Sequence, residues 1–316
     1  MKRVLPVLLL AAVFFGCGQQ KKDPVAAPKA KHATNNAPLF HYGNPVLLQY
    51  DRYLAGLDTQ LIDMGSQAVD TFQLLFKKQP AAVCDTAFYI FNQYHQRLSS
   101  WAYGHMDTTI IYEDIVYPEK TKPLSKKQLA RKKQLDKNGF YLFGDEGSAY
   151  IEQDQHFLSQ HFGLYVSAPL KQYLVQLAKE QKEGFSEDAG ITIEANVLAE
   201  RTVWWENFNK TIANTNFLYT KEAVDKYNLL LWVLMTGMEN TPVNDEYAND
   251  DDSIPNKYKL YDYFQKAWTY VQEKHPQSGT NAIVTPYLNA WLKKDSAEIN
   301  QVFSQFQKEH KSPWGE

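Results

Sequence analysis

Three groups of residues in this chain have the types and spacing for chemistry. The first is Glu152, His156 and His161, with the glutamate four residues before one histidine. On a helix that began early enough, Glu152 and His156 would share a face and could ligate a metal ion. His161 then lies about 140° round from His156. The two imidazoles therefore do not converge as in a His-Glu-x-x-His site, and a solvated pair is the simpler reading. The second group is an oxygen-rich run in which Asp245, Glu246, Asp250, Asp251 and Asp252 alternate with Asn244 and Asn249. Asp250 and Asp252 are its candidate calcium ligands. The ligand order, central glycine and distal glutamate of an EF-hand are absent, however, and a solvated acidic loop competes with the ion site. The third is the segment 118–138, where eight basic side chains from Lys120 to Lys137 oppose only Glu119 and Asp136, a local charge of +6. Close to a membrane such charges attract anionic headgroups at about 1 kcal/mol each. A polyanionic glycan would serve as well, and a solvated or internally neutralised face is the plain alternative.

The remaining inventory is negative. His95 and His105 have no ligand spacing, and no Walker loop, dinucleotide fingerprint, Gly-x-Ser-x-Gly or Cys-x-x-Cys occurs. No catalytic residue, metal or cofactor is therefore expected. Seven Trp, twenty Tyr and seventeen Phe could line a sugar-binding surface, but most recur at helical core spacing. Tyr42, Tyr103, Tyr247 and Trp314 lie outside those stripes. The near-neutral balance, 33 basic against 36 acidic residues, removes nucleic acid as a default partner.

Two cysteines exclude a disulfide scaffold. Cys84, beside Val83 and Ala87, reads as buried filler. Cys17 has a different context: Lys2 and Arg3 precede a twelve-residue apolar stretch from Val4 to Phe15, followed by Gly16. Twelve helical residues rise about 18 Å, well short of a bilayer core of roughly 30 Å, so the segment reads as a secretory signal. Its end, Phe14-Phe15-Gly16-Cys17, resembles the lipobox of bacterial lipoproteins, with Phe15 departing from the usual small residue. That resemblance implies a diacylglyceryl, multiply acylated Cys17 at the mature N-terminus and a membrane anchor. Cleavage before it leaves 300 residues and a formal charge of −5. Gly18, rather than Asp, implies outer-membrane sorting by the same resemblance. Gln19-Gln20-Lys21-Lys22-Asp23 is similar to the export tag of Bacteroidota surface lipoproteins. Residues 17–43, poor in large apolar side chains, then form a tether.

These candidates must be positioned by helices. Apolar residues recur at spacings of three, four and seven from Leu47 to Leu75, predicting one long helix that could break near Gly65, and again from Val83 to Trp101. Thr108 to Tyr112 is β-branched and predicts a short strand. Asn138-Gly139 and the Gly144 to Gly147 turn frame two apolar runs, predicting a β-hairpin at 139–152. Asp154, Ser167 and Ser296 are helix caps, and Thr285-Pro286 either starts a helix or kinks one. Around Trp205 and Trp268 the helix, break and helix pattern faintly resembles tetratricopeptide-like helical hairpins.

The expected fold is mainly α, stacked helical hairpins with one small β-hairpin. Residues 1–16 are the signal peptide and 44–316 the helical domain. That domain reads either as one body or as two lobes, 44–105 and 138–316, joined by a basic connection at 106–137. The expected function is a non-catalytic cell-envelope lipoprotein that presents its helices to an envelope protein partner. A glycan-binding surface lipoprotein is the alternative, and an envelope hydrolase using Glu152 and His156 a third.

Overall fold

The computed structural model describes residues 43–244 and 260–314. The lipobox-like segment with Cys17, most of the tether, Tyr42, Tyr247 and the acidic loop with Asp250 and Asp252 lie outside them. The described residues form α1 (Pro45–Gly56), α2 (Met64–Phe76), α3 (Ala81–Gly104), α4 (Glu113–Val116), α5 (Lys126–Lys137), β1 (Phe140–Asp145) and β2 (Ser148–Gln153). Then follow α6 (Gln155–Phe162), α7 (Ala168–Glu183), β3 (Ser186–Glu187), β4 (Gly190–Ile191), α8 (Ala195–Ile212), α9 (Thr220–Thr236), β5 (Gly237–Met238) and β6 (Thr241–Pro242). The chain ends in α10 (Asp262–Lys274), α11 (Gly279–Lys293) and α12 (Ser296–Glu309). The fold is mainly α, and the sheets among the described residues are three antiparallel two-stranded pairs. No helix among the described residues is long and apolar enough to cross a membrane.

The expected long first helix is two. The Asp58 carboxylate accepts the Gln60 N–H at 2.8 Å and turns the chain after α1, so the break falls between Gly56 and Met64. Gly65 lies inside α2 for a different reason: a Cβ there would stand 2.6 Å from the Asn138 carbonyl oxygen. The expected strand at 108–112 is also absent. Asp107 Oδ1 accepts both the N–H and the hydroxyl of Thr109, a local turn that competes with any extended ladder. At the far end, Asp295 rather than Ser296 caps α12, accepting from Ala297 and Glu298 at 3.0 Å. Pro286 sits inside α11.

The hairpin forms where expected. Phe140, Leu142, Ala149 and Ile151 alternate with Tyr141, Phe143, Tyr150 and Glu152, the register pairing Phe143 with Tyr150 and Tyr141 with Glu152. The first set packs inward. The second, by the two-residue period of a strand, faces outward. The connecting Glu146 and Gly147 both have positive φ, 47° and 76°, as a tight two-residue hairpin turn demands.

One apolar core runs from Leu47 through Phe306. Phe162 of α6 meets Phe72 of α2 at 4.6 Å and Phe88 and Phe91 of α3 at 5.0 and 4.6 Å, so side chains from 44–105 and from 138–316 share that core. Further on, α8 packs on α9, α10 and α11, and α11 packs on both α10 and α12. Trp268 of α10, fully buried, donates its indole N–H to the Leu234 carbonyl of α9 at 2.8 Å. Cys84 is buried as expected, its thiol directed at the Phe76 and Gln79 carbonyls, and burial raises its pKa.

Candidate functional site

A groove of about 770 Å³ opens between the outward face of the hairpin and helices α7, α8 and α9. That volume lies in the usual range for small-ligand sites. Each wall follows from local pattern. Tyr141 and Phe143 stand two apart on β1, so both rings project to one side, with 7° between their planes and centroids 6.1 Å apart. Phe143 stacks on Tyr150 at 5.4 Å and Tyr150 on Tyr103 of α3 at 5.7 Å, a continuous row of four rings. On α7, Tyr173, Leu177 and Glu180 recur at helical spacing, which puts a carboxylate in an otherwise apolar stripe.

The polar floor is held in place by its own bonds. Glu180, 8% exposed, accepts the Trp205 indole N–H at 2.6 Å and the Gln176 amide at 2.8 Å on one oxygen, and Lys226 lies 3.7 Å from the other. Gln181 donates to Glu152 Oε1 at 2.7 Å and to the Gln153 carbonyl at 2.9 Å while accepting the Gln155 N–H at 2.8 Å. The groove walls around it raise the Glu152 carboxyl above its ordinary value by partial desolvation, against the opposing pull of Gln181 and Lys226, although the side chain itself stays exposed at the groove edge. Arg201, only 2% exposed, donates to the Gly184 carbonyl and to Glu183, each at 2.8 Å. Its Nε–H has no partner among the described residues. A buried donor in that state costs about 1 to 3 kcal/mol. At the rim, Glu222 has no hydrogen-bond or ion-pair partner among the described residues, whereas Asp225 is paired with Lys221.

The candidate metal ligands Glu152 and His156 do not come together. Glu152 belongs to strand β2 and bonds Gln181, while His156 lies exposed in the first turn of α6, its N–H on Asp154. The early helix start that would have aligned them is prevented by Asp154, whose carboxylate caps α6 by accepting from His156 and Phe157. His161 turns to Gln73 instead, at 3.3 Å. Among the described residues no three His, Cys, Asp or Glu side chains gather to hold a metal ion.

The basic segment forms α5 and the loop before it, and part of its charge is answered nearby. Lys122 pairs with Asp114 at 2.9 Å, Lys127 with Asp107 at 3.0 Å and Lys132 with Asp136 at 2.6 Å. Lys120, Lys126, Lys133 and Lys137 have no ion pair among the described residues. Of the aromatics outside the core stripes, Tyr103 joins the ring row and Trp314 is exposed. Sequence reasoning missed Glu180, Gln181, Arg201 and Glu222. A signal existed for two of them: Glu180 and Arg201 each interrupt an apolar helical stripe, Arg201 lying between Leu198 and Trp205, and a charge there must be paired or put to use. None of the protein-family models, curated proteins and solved structures compared with the chain matches it.

Proposed function

We propose that this chain is a binding lipoprotein of the cell envelope, anchored to the outer membrane through Cys17, whose groove receives a saccharide. The observation that carries the reading is the groove's mixture of unmet needs. The free oxygen of Glu152 and the Glu222 carboxylate accept donors, the half-exposed Lys226 ammonium donates, and Tyr141 and Phe143 supply apolar ring surface. A sugar hydroxyl donates and accepts at once, and the C–H face of a pyranose suits an aromatic wall. A ligand with only cationic groups would be repelled by Lys226, and one with only anionic groups by Glu152 and Glu222. Binding rather than turnover is favoured because Glu180 is already engaged as an acceptor by Trp205 and Gln176, which leaves Glu152 without a second accessible carboxylate held beside it by hydrogen bonds among the described residues.

The test uses the full-length anchored chain presented with polysaccharide and protein fractions of its own envelope. Retention of polysaccharide is expected, with Tyr141→Ala and Glu222→Gln each weakening it about tenfold, equivalent to about 1.4 kcal/mol. Stoichiometric capture of an envelope protein with no polysaccharide retained would replace the saccharide by a protein partner. For the anchor, Cys17→Ser is expected to leave an unlipidated product in the soluble fraction. Unchanged membrane fractionation would refute lipidation.

A further inference from the structure

We propose a second saccharide subsite on the opposite face of α7, built on Trp204. It rests on the saccharide reading above but on different residues. Two stripes meet there at helical spacing: Ala168, Lys171, Gln172, Val175 and Gln176 from α7, and Trp204, Asn207, Phe208 and Thr211 from α8. They enclose a second groove of about 650 Å³. Val175 and Tyr173 are two residues apart, about 200° round the helix, so this groove and the first lie on nearly opposite faces of α7. The helices are held apart by the buried rings between them, with Tyr173 5.7 Å from Trp205 and 6.2 Å from Phe208.

The chemistry of this second groove is simpler. Phe208, itself buried, backs the Trp204 indole at 5.1 Å with only 10° between the rings. Trp204 stays half-buried, so a rigid, supported aromatic surface opens into the groove. Around it stand the exposed side chains of Gln172, Asn207 and Lys171, none with a hydrogen-bond partner among the described residues, and the Thr211 hydroxyl. Two free amides offer donors and acceptors in equal measure, and the groove contains no carboxylate. That set fits a neutral sugar: ring face on the indole, hydroxyls on the amides, with Lys171 adding donors. A purely apolar occupant would strand the amides.

Gln176 ties the two grooves together. It lines this one while donating at 2.8 Å to Glu180, which lines the other. Because a helix about 10 Å thick separates the grooves, one short oligosaccharide cannot fill both. Two chains, or two stretches of one long polymer, must bind, and polymer should be held far more tightly than its fragments.

The probe is a set of hexasaccharides released from the envelope polysaccharide, titrated calorimetrically into the full chain alongside the intact polymer. Two equivalents of hexasaccharide are expected for the unmodified protein. Trp204→Ala should remove one of them and weaken polymer retention tenfold or more, while Tyr141→Ala removes the other. Because Trp204 also packs on Phe208, Gln172→Ala with Asn207→Ala provides a variant at exposed positions only, with the same loss expected. A single equivalent that is abolished by Tyr141→Ala and indifferent to both Trp204→Ala and the amide pair would overturn the second subsite and leave the first standing. Absence of any saccharide binding to the unmodified chain would overturn both.

Discussion

Replacing Glu206 by alanine should destabilise the protein by about 3 to 5 kcal/mol, the usual consequence of stripping one partner from a buried charged network. Glu206 is 5% exposed on α8, and its two oxygens accept the Gly279 N–H at 2.6 Å, the Thr280 N–H at 2.8 Å and the Thr280 hydroxyl at 2.7 Å. These are the first amides of α11, so the carboxylate satisfies orphan donors and faces the positive end of that helix. Gly279 permits the approach, since a Cβ there would already lie 3.1 Å from Glu206 Oε1. Lys210 pairs with the same oxygen, but its side chain is 60% exposed, so Lys210→Ala should cost no more than about 1 kcal/mol. The backbone donors, not the ion pair, carry the effect. Denaturant unfolding decides it: the Ala variant should shift the midpoint at constant slope, with Glu206→Gln in between. A loss below about 1 kcal/mol would show that α11 is fixed to α8 by its apolar face alone.

That contact illustrates what the sequence could and could not announce. Helix positions were legible wherever an apolar stripe, a cap and a breaker agreed, as in α3 after Pro80 or α7 behind Ser167 and Pro169. The hairpin was legible because both alternation and turn chemistry marked it. The break between α1 and α2 was misplaced at Gly65 because a glycine in a helix signals either a break or a close approach, and only the long-range position of Asn138 decides which. Thr108 to Tyr112 reads as a strand by propensity, yet a strand needs a neighbour to pair with, and local bonds to Asp107 prevailed. The groove was less legible still. Its residues come from β1, β2, α7, α8 and α9, and no local spacing reports that Tyr141 and Glu222 line one groove. The charges that interrupt apolar stripes, Glu180, Arg201 and Glu206, were the available clue, and all three turn out to be buried with partners across the fold.

Between about pH 6.5 and pH 4 the protein should lose on the order of 3 kcal/mol of stability through His95 alone. His95, a histidine without ligand spacing in the sequence, is fully buried between Phe91 at 5.3 Å and Phe140 at 4.7 Å. Its Nδ1 faces the Gln153 amide at 3.1 Å, a donor, so Nε2 carries the proton and donates to the Asn138 carbonyl at 2.8 Å. Burial among rings penalises the imidazolium and lowers the pKa from 6.5 to about 4, the Asn138 bond opposing only part of the shift. Because the unfolded chain takes up this proton first, the stabilisation is complete above pH 6.5 and drains away as pH falls toward 4, at up to about 1.4 kcal/mol per pH unit. His161 and His310 are lowered by burial as well and add smaller slopes of the same sign. Glu206, lowered below its ordinary 4.5 by its donors despite the opposing cost of burial, contributes stability that is lost only below about pH 4.5, so the upper part of the window belongs to the histidines. Asn138 is where the consequence would appear, for its side chain also accepts the Ser66 N–H at 2.9 Å and donates to Asp63 at 3.1 Å. Charging His95 therefore loosens the junction of α2, α3, α5 and the hairpin that bears Tyr141 and Phe143, and the proposed saccharide retention should weaken with stability over the same range. His95→Phe supplies the control: its stability is lower at pH 7, where two polar groups lose their partner, but the steep slope from 6.5 to 4.5 should be largely gone. A variant that keeps the full slope would assign the acid transition to a different group.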